Sequence, residues 1–257
     1  DKKLLRNLEL NYKFDYIFHQ AAISDTTVSE QDLMIKTNVN AYEDLLKIAI
    51  NHKANMIYAS SAATYGDSDR FEIGYEQPNN AYGFSKVMMD NITYEYLKQD
   101  LDISIVGLKY FNVYGPKEFY KNKTASMVVQ FAHQILKGLT PKLFEGSDKI
   151  LRDFIYIEDV IQANIKACNP KKSGVYNVGT GKARSFEDIV NILQKELEID
   201  NGKEYIPNPF VGQYQFFTQA NIDSAKEYLF FEPKFSLEDG IKAYLSEIKR
   251  LFKEEVK

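Results

Sequence analysis

The sequence predicts an α/β fold organised on a parallel sheet. Three observations point there. Short apolar runs, at Phe14-Asp15-Tyr16-Ile17-Phe18-His19, at 55–60 and at Ile103-Ser104-Ile105-Val106-Gly107-Leu108, alternate with stretches of helical periodicity at 30–52 and 82–99. Two of the runs end in small or hydroxyl residues, Gln20-Ala21-Ala22-Ile23-Ser24 and Ser60-Ser61. In an open parallel sheet ligands sit beyond such carboxyl ends. Finally, 257 residues, 44% hydrophobic and 26% charged, suffice for one large domain or two interlocked ones.

Taken in order, residues 3–11 have helical spacing and lead into the first strand. From 30 to 52 the apolar residues Leu33, Met34, Val39, Leu45, Leu46, Ile48 and Ala49 mark one helix. Asn38 interrupts its apolar face, as a solvent-facing asparagine would. The strand ending at Ser61 follows. Asn79 or Asn80 then caps a helix over 82–99, because prolines and glycines before it read as loop. After the 103–108 strand and Tyr114-Gly115-Pro116 the character changes to a polar loop with Lys117, Lys121 and Lys123. A helix is expected at 125–138, a short strand and turn at Leu143-Phe144-Glu145-Gly146-Ser147, and a strand at 153–156. A helix to about Cys168 and the strand Val175–Val178 come next. Ser185-Phe186-Glu187-Asp188 reads as a capping box opening a helix to about Leu197, and 237–252 is amphipathic. No internal repeat or low-complexity tract interrupts this order.

Composition narrows the function. A net charge of −4 gives no reason to expect nucleic acid or an anionic membrane as partner. No apolar run approaches the roughly 18 residues of a membrane span, and the start Asp1-Lys2-Lys3 lacks a leader's apolar stretch. The single cysteine, Cys168, suits a reducing cytoplasm and a structural thiol. His19, His52 and His133 are scattered without acidic partners, so no metal site is expected.

Chemistry concentrates at Tyr82-Gly83-Phe84-Ser85-Lys86. A tyrosine and a lysine four apart share one helical face. An ammonium beside a phenol is expected to lower its pKa from about 10, so that it can move a proton near neutral pH. Tyr94 and Lys98 repeat the spacing, so the pattern alone is weak. Ser61 at a strand end upstream strengthens it: hydroxyl, phenol and ammonium together suit hydride chemistry on a sugar alcohol.

The stretch Ser60-Ser61-Ala62-Ala63-Thr64-Tyr65-Gly66 followed by Tyr82-x-x-x-Lys86 resembles the extended short-chain dehydrogenase/reductase family. Tyr110-Phe111-Asn112-Val113-Tyr114-Gly115-Pro116, Arg152–Val160 and Tyr176-Asn177-Val178-Gly179-Thr180-Gly181 fit in the same order. The resemblance implies a Rossmann-like dinucleotide-binding domain over 1–116 with 153–181 returning to it. It implies a smaller α/β substrate domain over 117–152 and 182–257. It also implies bound NADP, with NAD as the alternative, and transient oxidation of the substrate. Tyr82, Lys121, Ser61 and Lys86 would be catalytic. Gln20, Ala21, Ala22, Ile23, Ser24, Asn38 and Val113, with Tyr82, Lys86 and Lys121, would meet the cofactor. Phe144-Glu145-Gly146-Ser147, the lysine loop and Gly212–Ala220 are similar to a branch of the family that inverts C6 of an ADP-heptose. Ser61, Asn112, Lys123, Gln130, Phe144, Glu145, Gly146, Ser147, Arg152 and Tyr214 would hold that substrate. For Arg152 the other reading is a surface ion pair with Asp148 or Asp153.

The family's G-x-x-G-x-x-G loop is absent, so the sequence reads as part of a longer protein and the ribose selector is not in it. Family membership also implies a homo-oligomer. Two rivals remain: a UDP- or dTDP-sugar epimerase or dehydratase, and a silent dinucleotide-binding relative. Ala62-Ala63 after Ser61 argues against a dehydratase, which needs a carboxylate there. The intact Tyr82 and Lys86 argue against a silent relative.

Overall fold

A computed structural model describes residues 2–208 and 216–255. Its elements run α1 (Lys2–Asn11), β1 (Tyr16–His19), α2 (Gln31–Met34), a π-helical segment Ile35–Asn40, α3 (Ala41–His52), β2 (Asn55–Ser61) and α4 (Ala81–Tyr96). They continue with β3 (Ile105–Tyr110), β4 (Asn112–Tyr114), α5 (Met127–Leu136), β5 (Lys142–Phe144), β6 (Leu151–Tyr156) and α6 (Ile157–Ala167). The last are β7 (Gly174–Val178), β8 (Ala183–Ser185), α7 (Phe186–Leu197), β9 (Glu204–Ile206), α8 (Asp223–Leu229) and α9 (Leu237–Glu255). None of these helices is long and apolar enough to cross a membrane.

The chain forms two compact units. The first comprises 1–110, 162–178 and 222–231, and the second comprises 111–161, 179–221 and 232–257. In the first unit β1, β2, β3 and β7 form a sheet in that order, parallel throughout. This is the α/β class the alternation predicts. Tyr42, Leu46 and Ala49 of α3 and Met89 of α4 pack on Met56 and Tyr58 of β2 and Ile105 of β3, all fully buried. Gly107 lies opposite Tyr58 in the register, and a Cβ there would stand 2.5 Å from the Tyr58 ring. A central strand tolerates a glycine because the neighbouring ring lies across it.

The helix expected over 30–52 is not uniform. It widens into a π-helical segment at Ile35–Asn40, a distortion common at functional sites. The cause is visible at Asn38, which is fully buried. Its Oδ1 accepts from Ile23 N at 2.9 Å, and its Nδ2 donates to Ile23 O at 3.0 Å and Ser85 Oγ at 3.1 Å. The solvent-facing reading of Asn38 is therefore corrected. The residue ties the turn after β1 to α4.

The second unit holds a three-stranded sheet in the order β4-β6-β8 and the pair β5-β9. Its core joins Val128, Phe131 and Ile135 of α5 with Ile189 and Leu193 of α7 and Ile241, Tyr244 and Ile248 of α9. The capping box at Ser185 and Asp188 forms as the sequence predicts. β4, β8 and β9 were not legible, since three residues carry no periodicity. Asp153 on β6 is fully buried and accepts four bonds, from Thr180 N and Oγ1, Gly181 N and Ala220 N, at 2.6–3.0 Å. Asp153→Ala strands those donors and is expected to cost about 3 kcal/mol or more. A lowered urea midpoint with unchanged slope checks this.

Candidate active site

The site begins where β2 stops. Ser61 Oγ accepts from Ala63 N at 3.1 Å and Ser61 O accepts from Thr64 Oγ1 at 2.8 Å, so the chain turns sharply there. α4 starts nearby, capped by Asn80, whose Oδ1 accepts from Gly83 N at 2.8 Å. Gly83 lies against that turn: a Cβ would be 2.4 Å from Ala63 O. This close approach sets the Tyr82 phenol beside Ser61, whose hydroxyl favours the phenolate. One helical turn on, Lys86 is 1% exposed, and its Nζ donates to Ala59 O at 2.7 Å. That nitrogen stands 5.8 Å from the Tyr82 ring centroid.

The electrostatics differ from the sequence expectation. Burial raises the Tyr82 pKa, and the Ser61 bond only partly opposes it. Lys86 does not lower it, because its ammonium is turned to the β2 carbonyl. Tyr82 is thus a phenol at neutral pH, suited to donating a proton. Lys86 is the group brought near neutrality: burial lowers it to about 8, with Asp90 pulling the other way. Tyr94, the start of the repeated spacing, is pushed up by burial, and Lys98 pairs with Glu95 at 2.7 Å on the surface.

Sequence reasoning passed over His19 at the end of β1. Its Nε2 is buried with no hydrogen-bond partner among the described residues. Burial, and secondarily the Lys86 charge, lower its pKa to about 4, so it is neutral near pH 7. The signal available was its place immediately before the small-residue turn. Gln20 Oε1 accepts from Tyr110 OH at 2.8 Å, and Asn164 bonds both. Ala21 and Ser24 are exposed, and Ala22 and Ile23 are half-buried. Lys86 has one hydrogen-bond acceptor among the described residues, although an ammonium has three protons to give. An under-used ammonium, an unpartnered imidazole nitrogen and a small-residue turn at the ends of parallel strands fit a nicotinamide dinucleotide. Lys86 and His19 suit its ribose end, and Gln20–Ser24 suit close backbone approach.

In the second unit Asn112 is exposed on β4 and Val113 is half-buried beside it. Lys121 is exposed in the 3-10 turn Phe119–Thr124. Lys123 shares that turn, but its side chain lies outside the described portion, as does all of Tyr214. What shapes the lysine loop was not legible in the sequence. The Glu118 carboxylate accepts from Gly115 N at 3.2 Å, Ser126 N at 2.6 Å and Ser126 Oγ at 2.7 Å. Gln130 donates to Ala125 O at 2.6 Å. Phe144 ends β5 half-buried, Glu145 is exposed, and Gly146 takes φ +77°. Ser147 Oγ and Thr218 Oγ1 are buried without hydrogen-bond partners among the described residues. Arg152 is buried, with Nη1 donating to Leu151 O at 2.9 Å, so the surface position of the alternative reading is corrected. Asp153 accepts from backbone and Thr180. No cluster of three potential metal ligands occurs among the described residues.

A parallel sheet with a serine, a tyrosine and a lysine gathered at its strand ends defines a dinucleotide-dependent enzyme acting at a carbinol. The chain belongs to the NAD dependent epimerase/dehydratase family, whose model matches residues 1–179. ADP-L-glycero-D-manno-heptose-6-epimerase of Brachyspira hyodysenteriae is 38% identical over 244 residues, 91% of this chain and 76% of that protein. The crystal structure of Helicobacter pylori ADP-L-glycero-D-manno-heptose-6-epimerase is 49% identical, with a TM-score of 0.86 over 97% of this chain and 77% of that one. Thermotoga maritima UDP-glucose 4-epimerase, solved with UDP-glucose, superposes with a TM-score of 0.87 at 26% identity, covering 98% and 82%.

Proposed function

We propose that this chain epimerises C6 of ADP-D-glycero-D-manno-heptose to the L-glycero form, a step supplying precursor for lipopolysaccharide core. The Ser61–Tyr82–Lys86 set at the strand ends carries the reading, and the identity to two heptose epimerases supports the substrate. A carbinol C–H is not acidic, so inversion needs the carbon oxidised and reduced again. Bound nicotinamide dinucleotide, NADP in this proposal, supplies that hydride chemistry.

The protein supplies orientation and protons. Ser61 hydrogen-bonds the sugar oxygen, and Tyr82 exchanges a proton with it on one side. Inversion presents the carbon's other face, where Lys121 is the second acid/base. Lys86, Asn38 and Gln20–Ser24 of the first unit, with Val113 of the second, hold the dinucleotide. Asn112, Lys123, Gln130, Phe144–Ser147, Arg152 and Tyr214 hold the ADP-sugar. The enzyme works in the cytoplasm as a homo-oligomer.

The test incubates the full-length protein with the D-glycero substrate and follows C6 inversion by proton NMR. Lys121→Met is expected to slow inversion about 100-fold or more. Undiminished turnover in that variant removes Lys121 from the reaction. Turnover of UDP- or dTDP-sugars instead of the ADP-heptose replaces the substrate assignment.

A further inference from the structure

Behind Lys86 lies a buried charge network that the proposed reaction does not use. Lys109 on β3 is fully buried. Its ammonium donates to Asp90 Oδ2 at 2.6 Å and Thr64 Oγ1 at 2.9 Å, and pairs with Glu76 at 3.1 Å. Asp90 on α4 also accepts from Tyr58 OH at 2.8 Å and Ser60 Oγ at 2.9 Å. Asp90 follows Lys86 by one helical turn, as Lys86 follows Tyr82, so the three share a face of α4.

The network meets the reacting groups at three places. Ser60 is the residue before Ser61. Thr64, held by Lys109, donates to the Ser61 carbonyl. Ala59, the residue before Ser60, supplies the carbonyl that takes Lys86 Nζ. Burying an ion pair is costly and weak evidence for a stability role. Here it fixes residues 59–64, the segment on which Ser61 and Lys86 depend.

We propose that Asp90 is a positioning residue for the reaction. Held by Lys109, Tyr58 and Ser60, it is the countercharge that keeps Lys86 an ammonium and sets the strand end presenting Ser61. The inference rests on Lys86 being the reaction's lysine. The groups around Lys86 are few. Its own helix offers the Tyr82 ring and Asp90, β2 offers the Ala59 carbonyl, and β1 offers His19, which is neutral near pH 7. Lys109 on β3 pairs with both Asp90 and Glu76. Asp90 is therefore the anion Lys86 depends on once water is excluded.

The test is a titration without substrate or dinucleotide. Full-length protein labelled with 13Cε-lysine is titrated by NMR, and the Lys86 signal is assigned by its loss in Lys86→Arg. Asp90→Asn keeps the shape and one acceptor oxygen while removing the charge, and it is expected to lower the Lys86 midpoint by about one unit. Lys109→Met removes a like charge paired with Asp90 and is expected to raise it. Opposite shifts separate electrostatics from loosening, which moves both variants the same way. An unmoved midpoint in Asp90→Asn, or shifts of one sign, overturns the proposal. Should Asp90→Asn not fold, Lys109→Met decides alone: a rise supports the inference, and any other result ends it. Neither readout involves inversion, so the proposed activity can fail separately.

Discussion

Tyr82→Phe is expected to lower turnover about 100- to 10,000-fold while leaving dinucleotide affinity and folding close to wild type. The phenol oxygen is the group of Tyr82 that exchanges a proton, and the Ser61 hydroxyl stands beside it. Ser61 remains in the variant to bind the sugar oxygen, so the loss falls on kcat more than on KM. Removing one hydroxyl should shift stability by only about 1 kcal/mol. The pH dependence carries a second expectation. Burial raises the Tyr82 pKa, so this residue stays protonated through neutral and mildly alkaline pH. Lys86 is lowered to about 8 and loses its charge in that range. Activity should therefore fall as pH rises through about 8, and the fall belongs to Lys86. Steady-state kinetics of both proteins from pH 6 to 9 tests this; turnover within a few-fold of wild type in Tyr82→Phe would remove the tyrosine from the chemistry.

Gly83→Ala is expected to damage the site through one methyl group. The added Cβ would stand 2.4 Å from the Ala63 carbonyl and 3.2 Å from Pro78 Cβ. Both neighbours are backbone or rigid ring, so the start of α4 must move. Gly83 has helical backbone, and alanine alone would favour a helix by up to about 1 kcal/mol. Overpacking of this kind costs about 1–3 kcal/mol, so the clash should win. Displacing Tyr82 from Ser61 by about 1 Å can cost on the order of 100-fold in rate. A melting scan and a turnover assay on Gly83→Ala measure both parts. A protein as stable and active as wild type would show that α4 does not rest on the 62–64 turn.

Much of this was legible beforehand, for identifiable reasons. Helices α4, α5, α7 and α9 carry enough turns for apolar spacing to reveal them, and Asn80 and Ser185 announce two of their starts. Ser61 and the Tyr82-Lys86 pair were legible because spacing of four and a strand end are local properties. The direction of the Tyr82 pKa was not. The spacing places an ammonium on the same face as the phenol, but the Ala59 carbonyl, 27 residues earlier in the chain, decides where it points. Asn38 was ambiguous for the same reason, since Ile23 and Ser85 are its partners. Glu118, Asp90 and Lys109 gave no signal at all, being common residues in ordinary positions.

The sequence by itself determined the alternation of strand and helix, the family pattern, and which residue types could carry hydride and proton chemistry. Tertiary structure alone decided which charges face one another, which groups lose water, and how near Tyr82 comes to Ser61. The division follows from range: periodicity and capping act over a few residues, whereas burial and ion pairing depend on neighbours brought from distant parts of the chain.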